Sequence, residues 1–360
     1  MSTTQVEWTE DELLMTHDVA EPLVAGGVRC HGGFDADGNY VSPRTKNRVP
    51  AIESWQRQHH EEFGTPLLDI ELESWPEHYP NVAQAKYLLS EGVAQPLVSV
   101  LTRVGTVEGF GSMIRYSTIP DLQACFVEDV RGTATAHLGS GLYEAHARDE
   151  AGHGREGGHK QMWFAARDVA FENPVTEDET ELMMNRMGIT QGAGRPGVLA
   201  MPPRVTPEIS VDLELLIARM AGLLLIELSA FHTFAWAEAV LSDVELVAGD
   251  GEAARLVSYI RADEVPHVEY LKTTLSEMRD RTFITESGGT ASGADIMGRL
   301  WETAKGNSLG ARRTQLLDAT LAEIRHTLKG NARSDDILEQ FHGLGSVRPG
   351  PDGWVSAAAA

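Results

Sequence analysis

From Asn81 onward apolar side chains recur every three or four positions, a spacing that predicts a mainly helical chain. Leu97, Leu101, Val104 and Glu108 fall on one face, so a helix is expected from about 82 to 116, with Pro96 a potential kink. After a break at Pro120, a second helical run is expected through Val127, Val130, Ala134, Leu138, Leu142, His146, Glu150 and His153, although Gly139 and Gly141 offer places to split it. The stretch 173–205 is rich in Gly and Pro and reads as a long connector. Thr206 followed by Pro207 then signals a helix start, with the helix expected to run to about 247. Its segment Leu215–Leu241 is apolar on nearly all sides and belongs at the centre of a fold. A turn at Ala248-Gly249-Asp250-Gly251, with Asp250 as cap, leads into a fourth helix over 252–281. Shorter helices are expected at 293–305, 309–328 and 335–343.

Residues 1–80 lack a clear period and are expected to form an irregular N-terminal extension packing on the core. The 345–360 tail is expected to be disordered. The expected organisation is therefore a bundle over 81–281 followed by C-terminal helices over 282–344. No strand-like alternation is long enough for a large sheet. Helix pair, long crossover, helix pair is the connectivity of a ferritin-like four-helix bundle, so the expected fold class is all-α.

Composition narrows the chemistry. The 360-residue chain carries 53 acidic against 30 basic residues, a net charge of −23. This balance disfavours binding to nucleic-acid phosphates or anionic membranes. Arg219, Glu227, His232 and Glu238 interrupt the most apolar segment, so a membrane span is not expected. Two cysteines, Cys30 and Cys125, are too few for a disulfide framework, an iron–sulfur cluster or a four-thiolate zinc site. With no signal-peptide pattern at the start, the reading is a cytoplasmic protein.

The candidate chemistry lies in two similar segments, Arg148-Asp149-Glu150-Ala151-Gly152-His153 and Ala262-Asp263-Glu264-Val265-Pro266-His267. A Glu and a His three apart on a helix share a face and can reach one metal ion. The Asp, four before the His, can hold the imidazole in position. Glu-x-x-His alone is weak evidence: it occurs five times, at Glu150, Glu156, Glu264, Glu323 and Glu339. With Asp in front, chance would give roughly 0.07 copies, and there are two. Glu227, in the most apolar helix, needs something to neutralise it. In the first half Glu108 is favoured as its counterpart, with Glu128 the alternative. A continuous helix over 120–153 would put Glu128 about 33 Å from Glu150. His146, four before Glu150, is either a further ligand or a hydrogen-bonded core histidine, the latter reading being preferred. Glu156 and His159 read as a frayed, solvent-facing segment, Glu323 and His326 as a surface pair, and His59-His60-Glu61-Glu62 as a polar run. Four carboxylates and two neutral imidazoles match the charge of two divalent cations, and an oxygen-rich set suits iron or manganese better than zinc.

One Glu, Glu-x-x-His, one Glu, Glu-x-x-His resembles the ferritin-like di-iron carboxylate superfamily. The doubled Asp-Glu-x-x-His is especially similar to bacterial multicomponent monooxygenase hydroxylases. Over residues 82–281 the resemblance implies metal ligation by Glu108, Glu150 and His153 on one side and by Glu227, Glu264 and His267 on the other. Asp149 and Asp263, with His146, would stand behind them. Gly152 and Pro266 depart from those hydroxylases, which commonly carry Arg before the ligating His. The implied activity is that of an O2-activating di-iron oxidoreductase (monooxygenase, desaturase or N-oxygenase) acting on a small organic substrate, with Phe231, Phe234 and Trp236 possible pocket residues. Electrons would come from a separate reductase, and a homodimer is compatible with the resemblance. The alternatives are a ferroxidase, peroxidase or manganese-catalase-like protein without organic substrate, and a metal-free helical structural or interaction protein.

Overall fold

The computed structural model describes residues 7–172, 203–350 and 353–356, and it is mostly helical with few strands. The expected connector over 173–205 lies, apart from its last three residues, outside the described residues.

The centre of the molecule is a long antiparallel hairpin. Helix α7 (Val211–Leu241) and helix α8 (Glu252–Arg279) pack along each other. Helix α7 starts at a Ser210 cap, whose side chain accepts from the Leu213 N–H; the expected Thr206 instead accepts a turn bond from Ile209. The turn between them uses Gly249, Asp250 and Gly251, all at positive φ, so Gly251 rather than Asp250 occupies the cap position of α8. Helix α8 runs through Pro266 without ending there.

Two expected helices are shorter than their periodicity suggested. The 82–116 run is divided into α3 (Val82–Ser90) and α4 (Gln95–Gly111). Gly92 at φ 74° breaks the chain between them, and Pro96 lies in the first turn of α4, where its missing N–H costs nothing. In the second run only α5 (Tyr143–Ala151) is α-helical; before it come 3-10 turns at Leu122–Cys125 and Thr135–His137, irregular chain between them, and a π turn at Leu138–Leu142 with Gly141 at φ 129°. A further helix, α6 (His159–Phe171), packs on α4 and α8. Glycines allow the α4–α6 approach: a Cβ on Gly105 would sit 2.9 Å from Phe164 and Trp163, and one on Gly109 2.8 Å from Lys160.

The first eighty residues are more regular than expected. They hold α1 (Glu10–Leu13), α2 (Arg48–Phe63) and an antiparallel sheet ordered β1 (Glu21–Ala25), β2 (Val28–Phe34), β3 (Tyr40–Val41). The C-terminal part holds a hairpin of β4 (Thr282–Ile284) and β5 (Thr290–Ser292), then α9 (Gly293–Leu309), α10 (Ala311–Thr327) and α11 (Ser334–Gly343). In the tail, β6 (Val347–Gly350) pairs with β7 (Gly353–Ser356); residues 357–360 lie outside the described residues. Among the described residues no helix is long and apolar enough to cross a membrane.

Two apolar clusters form the core, and both use the central hairpin. Leu213 to Leu228 of α7 and Val268 to Met278 of α8 belong to one. Phe234 to Leu241 of α7 and Ala253 to Ile260 of α8 belong to the other. Between them, at Glu227, Asp263, Glu264 and His267, the hairpin carries a belt of buried polar groups.

Candidate metal centre

The belt gathers side chains from five helices. Among the described residues three sets of ligand-type atoms lie within 4.8 Å of one another, and two of them share Glu150: Glu108, Glu150, His159 and Glu264 in the first, His146, Glu150, Glu227 and His267 in the second; the third is His31, His159 and Asp263. The neighbour of Glu150, Gly111, leaves room for it: a Cβ there would stand 2.8 Å from the Glu150 side chain, which would have to shift.

Of the residues expected at a dimetal site, Glu108, Glu150, Glu227, Glu264 and His267 converge. Glu108 is held by the Trp163 indole N–H at 3.3 Å, whereas Glu128 is far from the belt and accepts from the Thr282 N–H and hydroxyl. His153 does not converge. Gly152, at φ 83° and ψ 174°, ends α5, and His153 is left exposed in a backbone bridge to Glu156. The intervening loop is tight: a Cβ on Gly152 would lie 2.3 Å from the Glu156 carbonyl oxygen, and one on Gly158 2.4 Å from that of Asp149. The loop therefore returns the chain to its starting point and delivers His159, the first residue of α6, into the place expected for His153. His159 is fully buried, not solvent-facing, with Nδ1 2.7 Å from Glu264 and 3.4 Å from Glu150.

The three Asp and His residues expected to stand behind the ligands are also at the belt. Each Asp of one motif serves the histidine of the other half: Asp149 lies 2.9 Å from His267 Nε2, and Asp263 lies 3.5 Å from His159 Nε2. In both histidines Nδ1 is then the nitrogen that faces the carboxylates, an arrangement in which the outer partner fixes the ring. His146 stacks on the His267 ring at 3.9 Å and points Nε2 to within 3.5 Å of Glu227 and 3.7 Å of Glu150. Its Nδ1 meets the Tyr270 hydroxyl at 3.2 Å. His146 thus has ligand geometry in addition to a core position.

The N-terminal segment supplies the next layer, and sequence periodicity gave no hint of it. Arg44 and Arg48 both pair with Asp149, Arg48 at 2.8 Å. Asp263 accepts from His31 at 2.9 Å, the Tyr40 hydroxyl at 2.8 Å and Ser42. A backbone bond from His31 N–H to the Gly157 oxygen docks β2 onto the loop that positions His159.

Electrostatics within the belt are strongly perturbed. Burial, reinforced by the Glu150 and Glu264 carboxylates, pushes the Glu108 carboxyl well above its usual range; burial, with Glu264 and Glu150, does the same to Glu227. Burial opposes charge on His159 and His267, but Glu264 and its neighbours outweigh it and hold both imidazoles well above the ordinary value. Burial also opposes ionisation of Glu264 and Asp149. The His159 and His267 cations nevertheless bring Glu264 well below the usual range, and Arg44 and Arg48 do so for Asp149. Burial and the His267 charge push His146 well below an ordinary histidine.

The donor set fits metal ions. Both Glu150 oxygens, His146 Nε2, His159 Nδ1 and Glu264 Oε1 are buried without a hydrogen-bond partner. Unsatisfied buried polar atoms are costly, and here they converge on common points. On the other side, Glu108, Glu150 and Glu227 line a cavity of about 2380 Å³ whose walls include Val104, Phe110, Leu223 and Ile226. Of the aromatic residues proposed for a pocket, Phe234 and Trp236 are core residues and Phe231 packs against both clusters.

No protein-family model matches the chain, and no curated protein or solved structure is significantly similar to it.

Proposed function

We propose that the chain is a ferritin-like dimetal protein, and that it works as an O2-activating di-iron oxidoreductase on a small organic substrate. The observation that carries this reading is the pair of four-residue ligand sets sharing Glu150, with orphaned donor atoms turned inward. Helices α4, α5, α7 and α8 would form the bundle, with α6 completing the site. Glu108, His159 and Glu264 would hold one ion, and Glu227, His267 and His146 the other. Glu150 would be shared. Two bound irons supply redox chemistry with O2 that no side chain here can. The residues do the rest: Asp149 and Asp263 orient the imidazoles, the two apolar clusters exclude water, and the cavity beside Glu108 and Glu227 admits substrate. That cavity favours an organic substrate over a ferroxidase or catalase-like role. A separate reductase would supply electrons.

Elemental analysis of protein from iron-supplemented culture tests this, together with the visible spectrum before and after anaerobic reduction and O2 exposure. About two irons per chain and an O2-dependent transient absorbance are expected. Manganese in their place would redirect the reading to catalase-like chemistry, and no metal after reconstitution would overturn it.

A further inference from the structure

Helix α4 carries a cation on the cavity wall five residues before Glu108, about 7.5 Å along the axis. Arg103 makes no ion pair among the described residues; its one hydrogen bond, to the Thr320 hydroxyl, is long at 3.5 Å. Glu323, whose charge acts on Arg103 without forming an ion pair, accepts at Oε1 from the Ser99 hydroxyl. Glu214, also on the wall, is committed to Arg204 at 2.5 Å. Burial works against the Arg103 charge, offset in part by Glu323. His78, on the same wall, stays neutral because burial brings its imidazole down to about 3, the Arg103 charge adding to the effect; the cavity's other cations are Arg219, which donates to the Ser117 hydroxyl, and Arg313. A largely buried guanidinium with a compensating carboxylate only outside ion-pair distance keeps part of its burial cost, and an anion bound in direct contact would relieve it.

We propose that Arg103 receives the carboxylate of an organic acid whose apolar body fills the cavity and reaches towards Glu108 and Glu227. The inference rests on the reading of this cavity as the substrate site, and it makes the substrate a carboxylic acid. Paired N–H donors of Arg suit a carboxylate in two-point contact.

The test uses the protein as purified, with octanoate and octan-1-ol as probes and the summed tryptophan fluorescence as readout, to which Trp75 on the cavity wall and Trp236, whose ring stacks on His78 at 4.1 Å, both contribute. Octanoate should bind at least about tenfold more tightly than octanol. Arg103→Gln should erase the preference while leaving octanol binding unchanged, and Arg103→Lys should restore part of it. Equal binding of both probes to the unaltered protein, or a preference that survives Arg103→Gln, overturns the proposal. Glu264→Ala separates the two readings. If the preference persists in this metal-poor variant, Arg103 carries it; if it vanishes there, the carboxylate was bound by metal and the proposal fails. Metal content, measured on the same samples, judges the dimetal reading independently.

Discussion

Glu150 is the residue on which the site turns, because both four-residue ligand sets need it and neither of its oxygens has a hydrogen-bond partner. The histidines around it are distinguished by position rather than by motif. His153 has the expected spacing from Glu150 yet is exposed, and His159, nine residues on, is buried against Glu150 and Glu264. His159→Ala should therefore lower bound metal by about half or more, and His153→Ala should leave it unchanged. Metal-to-protein ratios of the two variants check this, and equal ratios would return His153 to consideration. His146→Ala distinguishes a third ligating histidine from a packing role: loss of one ion without loss of folded structure by circular dichroism is expected.

At the level of elements, the decisive feature is the loop 152–158 between α5 and α6. Gly152 adopts a backbone conformation that only glycine enters easily, and a methyl group there would strike the Glu156 carbonyl oxygen. Gly152→Ala should cost about 1–3 kcal/mol in denaturant unfolding and displace His159, so that metal content falls as well. A variant with both properties intact would show that the loop does not set the histidine. The same loop marks the limit of what the sequence disclosed. Glu227, Glu264 and His267 were legible because they lie on uninterrupted helices, where spacing translates directly into direction. Glu108 was legible by the same route once α4 formed. His159 was not, since a chain that leaves a helix and re-enters the site has no fixed period, although the glycines at 152, 154, 157 and 158 announced the break. His31, Tyr40, Ser42, Arg44 and Arg48 were invisible for a related reason: they act from strands, a loop and a helix start whose pattern says nothing about a site far away in sequence.

The whole molecule places this polar belt between two apolar clusters, with three buried carboxylates and the half-buried Glu108 to neutralise. Without metal, protons do it: Glu108, Glu227, His159 and His267 all have pKa values raised well above their ordinary ones, by burial and neighbouring carboxylates for the two glutamates and by carboxylates overcoming burial for the two histidines. Divalent ions and these protons then compete for the same atoms. Loading the site should expel up to four protons, one from each raised group, and apparent affinity should tighten as pH rises, because fewer protons have to be displaced. Calorimetric titration of metal-free protein with Fe(II) under anaerobic conditions, in buffers of different ionisation enthalpy, measures the release directly. A heat independent of the buffer would mean that these side chains are not the ligands. The same coupling predicts stability: at a free metal concentration a hundredfold above the dissociation constant, the folded state gains about 2.7 kcal/mol, so a chelator should lower the melting temperature of the loaded protein and leave that of a Glu150→Ala variant unmoved.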